Sequence, residues 1–377
     1  MMSQFDACPY TERRLRALLS GISELDQTAM DAARARQEEL AKPPGSLGQL
    51  EALSIQLAGI TGRIHHTLQK KRLLVFAADN GVCAENIACT PQSVTLMQTV
   101  NLTRGKTGAA VLAHHFGCAL TVCDVGVAAD IREPAVLDYK IAYGTQNIAA
   151  GPAMTREQAV RALLTGFDVA VGAVDQGAEI LGVGEMGIGN TTTSSAVIAA
   201  LTGTPVEQVT GRGGGITDDG YLRKLAVVRR ALAVNAPNRA DPVDVLAKVG
   251  GFDIAAMAGA FLGAARRRVP VVIDGLISAA AALCAVRLCE TARGYLIPSH
   301  ASFEIGYAVV ICELGLTPML TLGMRLGEGS GCPLAFAVVD AACAVMNEMA
   351  TFAEADIDDS YLEEIRRGDQ FTVEGSL

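Results

Sequence analysis

Basic charge is scarce in this 377-residue chain: 31 Lys and Arg face 40 Asp and Glu, for a net charge of −9. A nucleic-acid binder normally presents a basic face, so no nucleic-acid partner is expected. Long apolar runs are missing too. Mean hydropathy is +0.31, yet the candidate stretches 254–265 and 275–286 reach only about 12 residues each, short of a bilayer span. No membrane partner is expected. Residues 1–20 hold Asp6, Glu12, Arg13, Arg14 and Arg16 and no apolar h-region. A signal peptide is therefore not expected, and the cytoplasm is the expected compartment. The ten cysteines include no C-x-x-C pair, and the five histidines form two adjacent pairs plus His300. That gives no zinc or iron–sulfur spacing, so no metal site is expected and buried reduced thiols are the plain reading.

What is present is small-residue bulk. Half the chain is hydrophobic, 39 residues are glycine, and only 19% are charged. A sizeable core can form, and about 150 residues per domain gives two units. Residues 24–40 read as a polar amphipathic helix, broken by Lys42-Pro43-Pro44-Gly45. Ser46 with Gln49 reads as a capping box. Leu50, Leu53, Leu57 and Ile60 follow at helical spacing. From Lys71 the pattern changes. Four short apolar runs, at 73–78, 120–123, 179–183 and 269–273, end on Asp79, Asp124, Glu185 and Asp274. Helical stretches lie between them, which predicts a parallel sheet in an α/β fold. Ligands in such sheets sit beyond the carboxyl ends of the strands. Some of these acids could equally cap turns. The chain then returns to helix: Ser330 can cap one running to about Phe352, with Leu334, Val338, Ala342, Val345 and Met349 on one face.

Two motif matches fail. Gly105-Lys106-Thr107 lacks the earlier glycine of a P-loop, because position 100 is Val. Gly182-x-Gly184-x-x-Gly187 formally satisfies a dinucleotide fingerprint with Glu207 beyond it, but Gly182 falls inside the apolar run. Three glycine-rich segments carry more. Residues 185–195, EMGIGNTTTSS, join a strand to a helix. Glycine backbone, five hydroxyls and a helix N-terminus suit an anion, a phosphate above all; ordinary helix capping is the alternative. Residues 211–218, GRGGGITD, precede a helix carrying Lys224. Arg212 or Lys224 could neutralise a phosphate or a carboxylate, or both could be solvated cations. In residues 325–331, RLGEGSG, a glutamate sits between glycines ahead of an apolar helix. Exposed, Glu328 is only a favourable charge near a helix dipole. Desolvated in a cleft, it is a candidate general base.

Together these segments resemble the nicotinate-nucleotide–dimethylbenzimidazole phosphoribosyltransferase family. The resemblance runs from KPPGSLGQLE (42–51) through FAADNGV (76–82), GEMGIGNTTTSSA (184–196), GRGGGITDDG (211–220) and DGLISAAAAL (274–283) to LGMRLGEGSG (322–331). It implies transfer of phosphoribose from nicotinate mononucleotide to a lower-ligand base, with inversion at C1′ and no metal or bound cofactor. It implies a large α/β unit with a Rossmann-like parallel sheet and flanking helices (65–295), plus a small helical domain built from both chain ends (1–64 with 296–377). It also implies a homodimer. By motif position Glu328 is the catalytic base and Glu185 a second active-site carboxylate. Gly187, Gly189, Asn190, Thr191, Thr192, Gly213, Gly214, Gly215, Lys224 and Asp274 would bind nicotinate mononucleotide. Asn80, Met97, Gln98 and Leu326 would bind the base. The chain departs from the common family pattern at Ile87-Ala88, Met97-Gln98 and Tyr307-Ala308. A benzimidazole, a purine and a phenolic acceptor all stay open. A nucleotide-binding protein without turnover and an NAD-dependent oxidoreductase are the other classes to weigh.

Overall fold

The computed structural model describes residues 10–363. Its sheet is formed by β1 (Lys71–Ala78), β2 (Ala119–Gly126), β3 (Val136–Asp138), β4 (Ile180–Met186), β5 (Val271–Ile273) and β6 (Leu296–Pro298). The strand order is β3-β2-β1-β4-β5-β6, and every neighbouring pair is parallel. The order reverses between β1 and β4, so a crevice opens at their carboxyl ends. The sequence runs anticipate β1, β2, β4 and β5. They do not anticipate β3 and β6, which are three-residue edge strands. β6 ends in a proline, which an edge tolerates.

β1 shows why the runs are continuous and not alternating. Leu73 through Ala78 are all fully buried. Leu74, Phe76 and Ala78 face one core; Leu73, Val75 and Ala77 face the other. On the first face the helices Arg156–Asp175 and Phe252–Arg266 cross at very short range. A Cβ on Gly166 would lie 1.7 Å from the Ala256 carbonyl oxygen, and one on Gly259 would lie 1.8 Å from that of Leu163. On the second face the helix Gly331–Glu348 packs against β1, β4 and β5. It is one helix, among the described residues, long and apolar enough to cross a membrane, but its apolar side is turned to the sheet.

That helix differs from expectation in two ways. It has no side-chain cap from Ser330, and it ends at Glu348. Its buried face is Cys332, Ala335, Phe336, Val339, Ala342, Cys343 and Met346, while Leu334, Val338, Val345 and Met349 are half-buried. The helix is apolar almost all round, so periodicity alone leaves its rotation open. The Ser46–Gln49 capping box is not formed either. Gly48 precedes the helix Gln49–Thr61 with no side-chain cap. Glu51 instead accepts the Leu47 N–H at 2.9 Å and pairs with buried Lys42 at 2.7 Å.

Within the described residues, early and late segments of the chain meet. The helices Gln27–Glu39 and Gln49–Thr61 pack together, and Met346 of the last long helix joins Ala29, Ala33 and Ala58. Backbone bonds from Ala41 to Ala350 and from Phe352 to Glu39 tie these segments. The helix Glu12–Leu19 lies elsewhere, against the two crossing helices, where Arg14 forms a two-pronged pair with Asp168 at 2.6 and 3.0 Å. The boundary expected at 295/296 falls directly before β6, a strand of the sheet.

A glycine in a helix interior is normally improved by alanine, by about 1 kcal/mol. Gly166→Ala should do the reverse. The crossing helices must separate, and overpacking should cost about 2 kcal/mol or more. Urea unfolding of Gly166→Ala against wild type measures this, and a stabilised variant would refute the close crossing.

Candidate active site

A cleft of about 290 Å³ lies beyond the carboxyl ends of β1, β4 and β5. Glu185, the penultimate residue of β4, is buried at its floor. Asp274 follows β5 directly. Its Oδ2 accepts the Gly329 N–H at 3.0 Å and its Oδ1 accepts the Gly331 N–H at 2.7 Å. Asp274 lines the cleft, where it is expected to meet the nucleotide, and its carboxyl also clamps the 327–331 loop. The loop also needs a bare backbone on β4: a Cβ on Gly184 would sit 2.4 Å from the Gly329 nitrogen.

Glu328 sits in that clamped loop with φ +62°. Left-handed backbone costs a non-glycine residue about 1 kcal/mol or more, so the surroundings must hold it. They do so at three points. Asp274 grips the next residue, the Glu328 N–H reaches Glu185 Oε1 at 3.4 Å, and Glu328 Oε2 accepts the Ala109 N–H at 3.1 Å. Ala109 is in the first turn of the helix Gly108–His115, where unpaired N–H groups favour an anion. The carboxylate is 5% exposed and lines the cleft. The side chain is thus buried in the cleft, at a helix N-terminus, and not exposed.

Three neighbouring acids share the burial. Glu185 is pushed up to about 8, by burial first and the Asp253 charge second. Asp274 rises to about 7 through burial, against the pull of the Gly331 and Gly329 N–H groups. Asp253 rises to about 6, again through burial. Among the described residues no group of three or more His, Cys, Asp or Glu is placed to hold a metal ion.

The anion end is built from two loops. Gly189, with φ +94°, precedes the helix Asn190–Thr202, and a Cβ there would lie 2.8 Å from Cys83 Sγ. Gly187, Gly189, Asn190, Thr191, Gly213 and Gly214 all line the cleft, and a Cβ on Gly213 would lie 3.0 Å from Thr191 Oγ1. Lys224 rises beneath them, 1% exposed, and donates to Thr191 Oγ1 at 2.9 Å. Burial lowers its pKa to about 8, with Glu304 opposing. The hydroxyl cluster is less open than its composition suggests. Thr193 donates to the Asn190 carbonyl, Ser195 to those of Thr191 and Val209, and Thr192 is fully buried. Thr191 is the hydroxyl of the set that lines the cleft; Thr192 and Lys224 are buried outside its lining, and Gly215 is exposed outside it.

The cleft also has an apolar lining. Ile87, Ala88, Val94 and Ile188 line it with Gln98 and Leu326. The two other residues expected at the base are not on it. Met97 is 51% exposed and faces a separate groove beside Arg104 and Arg132. Asn80 is fully buried under the loop, donating to Asp253 at 3.5 Å and accepting from Thr193 at 3.4 Å. Positions not anticipated also reach the cleft, among them Thr90, Ser278, His300, Ser302, Glu304 and Arg325. Asp253, equally unanticipated, lies behind it. Its signal was there to read: an acid just after Gly250-Gly251, opening a helix whose next 12 residues are all buried. The dinucleotide fingerprint is excluded, since Gly182 and Gly184 are inside β4 and Glu207 is ion-paired with Arg229 on the surface.

Residues 22–357 match the family model described as Phosphoribosyltransferase. The chain belongs to this phosphoribosyltransferase family. It is 50% identical over 359 residues to the nicotinate-nucleotide–dimethylbenzimidazole phosphoribosyltransferase of Clostridium perfringens, covering 95% of this chain and 99% of that one. It is 51% identical over 344 residues to the protein of the same name from Desulforudis audaxviator, covering 91% and 98%. The crystal structure of the Thermus thermophilus protein of that name superposes with a TM-score of 0.85 at 40% identity, covering 89% of this chain and all of that one. The chain is thus a transferase with the fold of these phosphoribosyltransferases.

The buried acids make stability depend on pH. Folded pKa values of about 6, 7 and 8 for Asp253, Asp274 and Glu185 lie above those of the unfolded chain, so the native state binds more protons. Their stabilising contribution is complete below about pH 4 and is lost as pH rises through 6 to 8. Lys224 acts in the opposite sense, but only from about 8 upward. Denaturant midpoints should therefore fall between pH 6 and 8. A midpoint that rises over this range would contradict the proton placement.

Proposed function

We propose that the enzyme transfers phosphoribose from nicotinate mononucleotide to a lower-ligand base, 5,6-dimethylbenzimidazole or an analogue. The products are α-ribazole 5′-phosphate and nicotinate. The observation that carries this reading is the placement of Glu328: a buried carboxylate on left-handed backbone, in one cleft whose lining also includes Leu326, other apolar side chains and the two glycine-rich loops. A flat aromatic base suits the apolar lining. A phosphate suits the N–H groups that open the helix Asn190–Thr202, with the Lys224 ammonium behind them.

The chemistry then needs one base. A ring nitrogen of the acceptor attacks C1′ from the face opposite nicotinate. The C1′–N bond breaks and its electron pair returns to the nicotinate ring nitrogen, which cancels the pyridinium charge. That leaving group needs no acid. The acceptor's N–H proton passes to Glu328, so positive charge does not build on the new nucleotide. Such help is worth about 10² to 10⁴ in rate, or about 3–5 kcal/mol. With a phenolic acceptor the same carboxylate takes the hydroxyl proton. Glu185, neutral below about pH 8, can donate a hydrogen bond to the ribose or the incoming base. The same proposal takes 65–295 as the nucleotide-binding unit, with 1–64 and 296–377 as a helical unit. It has the enzyme act as a cytoplasmic homodimer. Nine free cysteines among the described residues suit a reducing compartment, and exposed Phe303, Ile305, Leu322 and Leu326 offer apolar surface.

Glu328→Gln should keep the wild-type melting profile and lose at least about a hundredfold in kcat with nicotinate mononucleotide and dimethylbenzimidazole. Turnover near that of wild type would remove Glu328 as the base. A panel of benzimidazole, purine and phenolic acceptors, read by product mass, gives the preferred class.

A further inference from the structure

Asp253 has no part in the chemistry above, yet the cleft floor is built around it. It is fully buried in the first turn of the helix Phe252–Arg266. It is not the N-cap of that helix, which is Gly251, although its Oδ1 accepts the Ile254 N–H of the first turn at 3.0 Å. Its Oδ2 accepts from Asn190 Nδ2 at 3.2 Å and from Asn80 Nδ2 at 3.5 Å. Asn190 Nδ2 also donates to Glu185 Oε2. A carboxamide nitrogen carries two hydrogens, and here each goes to a carboxyl group. A flipped Asn190 would turn its carbonyl oxygen toward both acids. Asp253 and Glu185 thus fix the amide between them, and the amide fixes Glu185. Even the loop backbone conforms to this carboxylate: a Cβ on Gly187 would come within 2.8 Å of Asp253 Oδ2.

We propose that Asp253 is a positioning residue for the transfer, holding the Glu185 carboxyl in the cleft through the Asn190 carboxamide. This rests on Glu185 acting as a substrate-holding group of the reaction proposed above. The groups facing Glu185 are Asp253 from the crossing helix, Asp274 from beyond β5, the Glu328 N–H from the clamped loop, and Asn190. The charge of Asp253 keeps the proton on Glu185, while the Asn190 amide favours its loss. The two partners therefore pull the proton in opposite directions, and that gives the proposal a signature that packing alone would not produce.

The test is kcat and KM for nicotinate mononucleotide between pH 6 and 9.5 in wild type, Asp253→Asn, Asn190→Ala and Glu185→Gln, each checked by thermal melting. Wild-type kcat should fall as pH rises through about 8. Asp253→Asn should lose between about tenfold and a hundredfold in kcat, with KM little changed, and its alkaline limb should move down by about one pH unit. Asn190→Ala should also lose kcat, but its limb should move up. If Asp253→Asn fails to fold, the limb of Asn190→Ala decides alone. A wild-type limb in either folded variant, or a change in KM alone, overturns the proposal. Wild-type kcat and an unchanged limb in Glu185→Gln would instead remove the role of Glu185 on which the proposal stands.

Discussion

Both oxygens of Asp274 accept backbone N–H groups from the far end of the chain, those of Gly329 and Gly331. Asp274 itself is anchored by the sheet, since it follows β5 directly. One side chain therefore joins the carboxyl edge of the sheet to a loop more than fifty residues later in sequence. The left-handed backbone of Glu328, the approach of Gly329 to Gly184 and the meeting of Glu328 Oε2 with the Ala109 N–H all follow from it. A carboxylate on an unheld glycine-rich loop would sample many positions. A general base must stay within hydrogen-bond reach of the proton it removes, and the clamp supplies that constraint.

The electrostatic consequence is a floor of acids that keep their protons to higher pH than exposed carboxyls do. Glu185, Asp253 and Asp274 are desolvated together, and each rises toward neutrality. Lys224 sits apart at the anion end with a hydroxyl as its hydrogen-bond partner. The cleft thus brings together buried carboxyls, a helix N-terminus with a buried amine behind it, and apolar side chains. That division matches a substrate with an anionic tail, a hydroxylated ring and a flat aromatic partner.

The parts of this arrangement that could be read from sequence are those written as local pattern. The apolar runs ending on acids locate β1, β2, β4 and β5, and the three glycine-rich segments do converge on one cleft. What could not be read is direction. Five hydroxyls in a row suggest five donors, but the helix Asn190–Thr202 is buried on most sides and turns Thr192, Thr193 and Ser195 inward. Met97 and Gln98 are adjacent in sequence and point to different grooves. The helix Gly331–Glu348 is apolar all round, so its sheet-facing side was set by packing and not by period. β3 and β6 are too short to leave a pattern. Asp253 was visible as an acid in a buried helix, but its partners come from 63 and 173 residues away.

Catalysis of this kind depends on Glu328 being the group that meets the acceptor. The most direct measurement is a crystal structure of the wild-type enzyme with 5,6-dimethylbenzimidazole. The expected result has a ring nitrogen about 2.6–3.2 Å from a Glu328 carboxylate oxygen, with the ring against Ile87, Val94 and Leu326. A base bound away from Glu328, whether in the outer groove beside Met97 or against the Lys224 end, would contradict it.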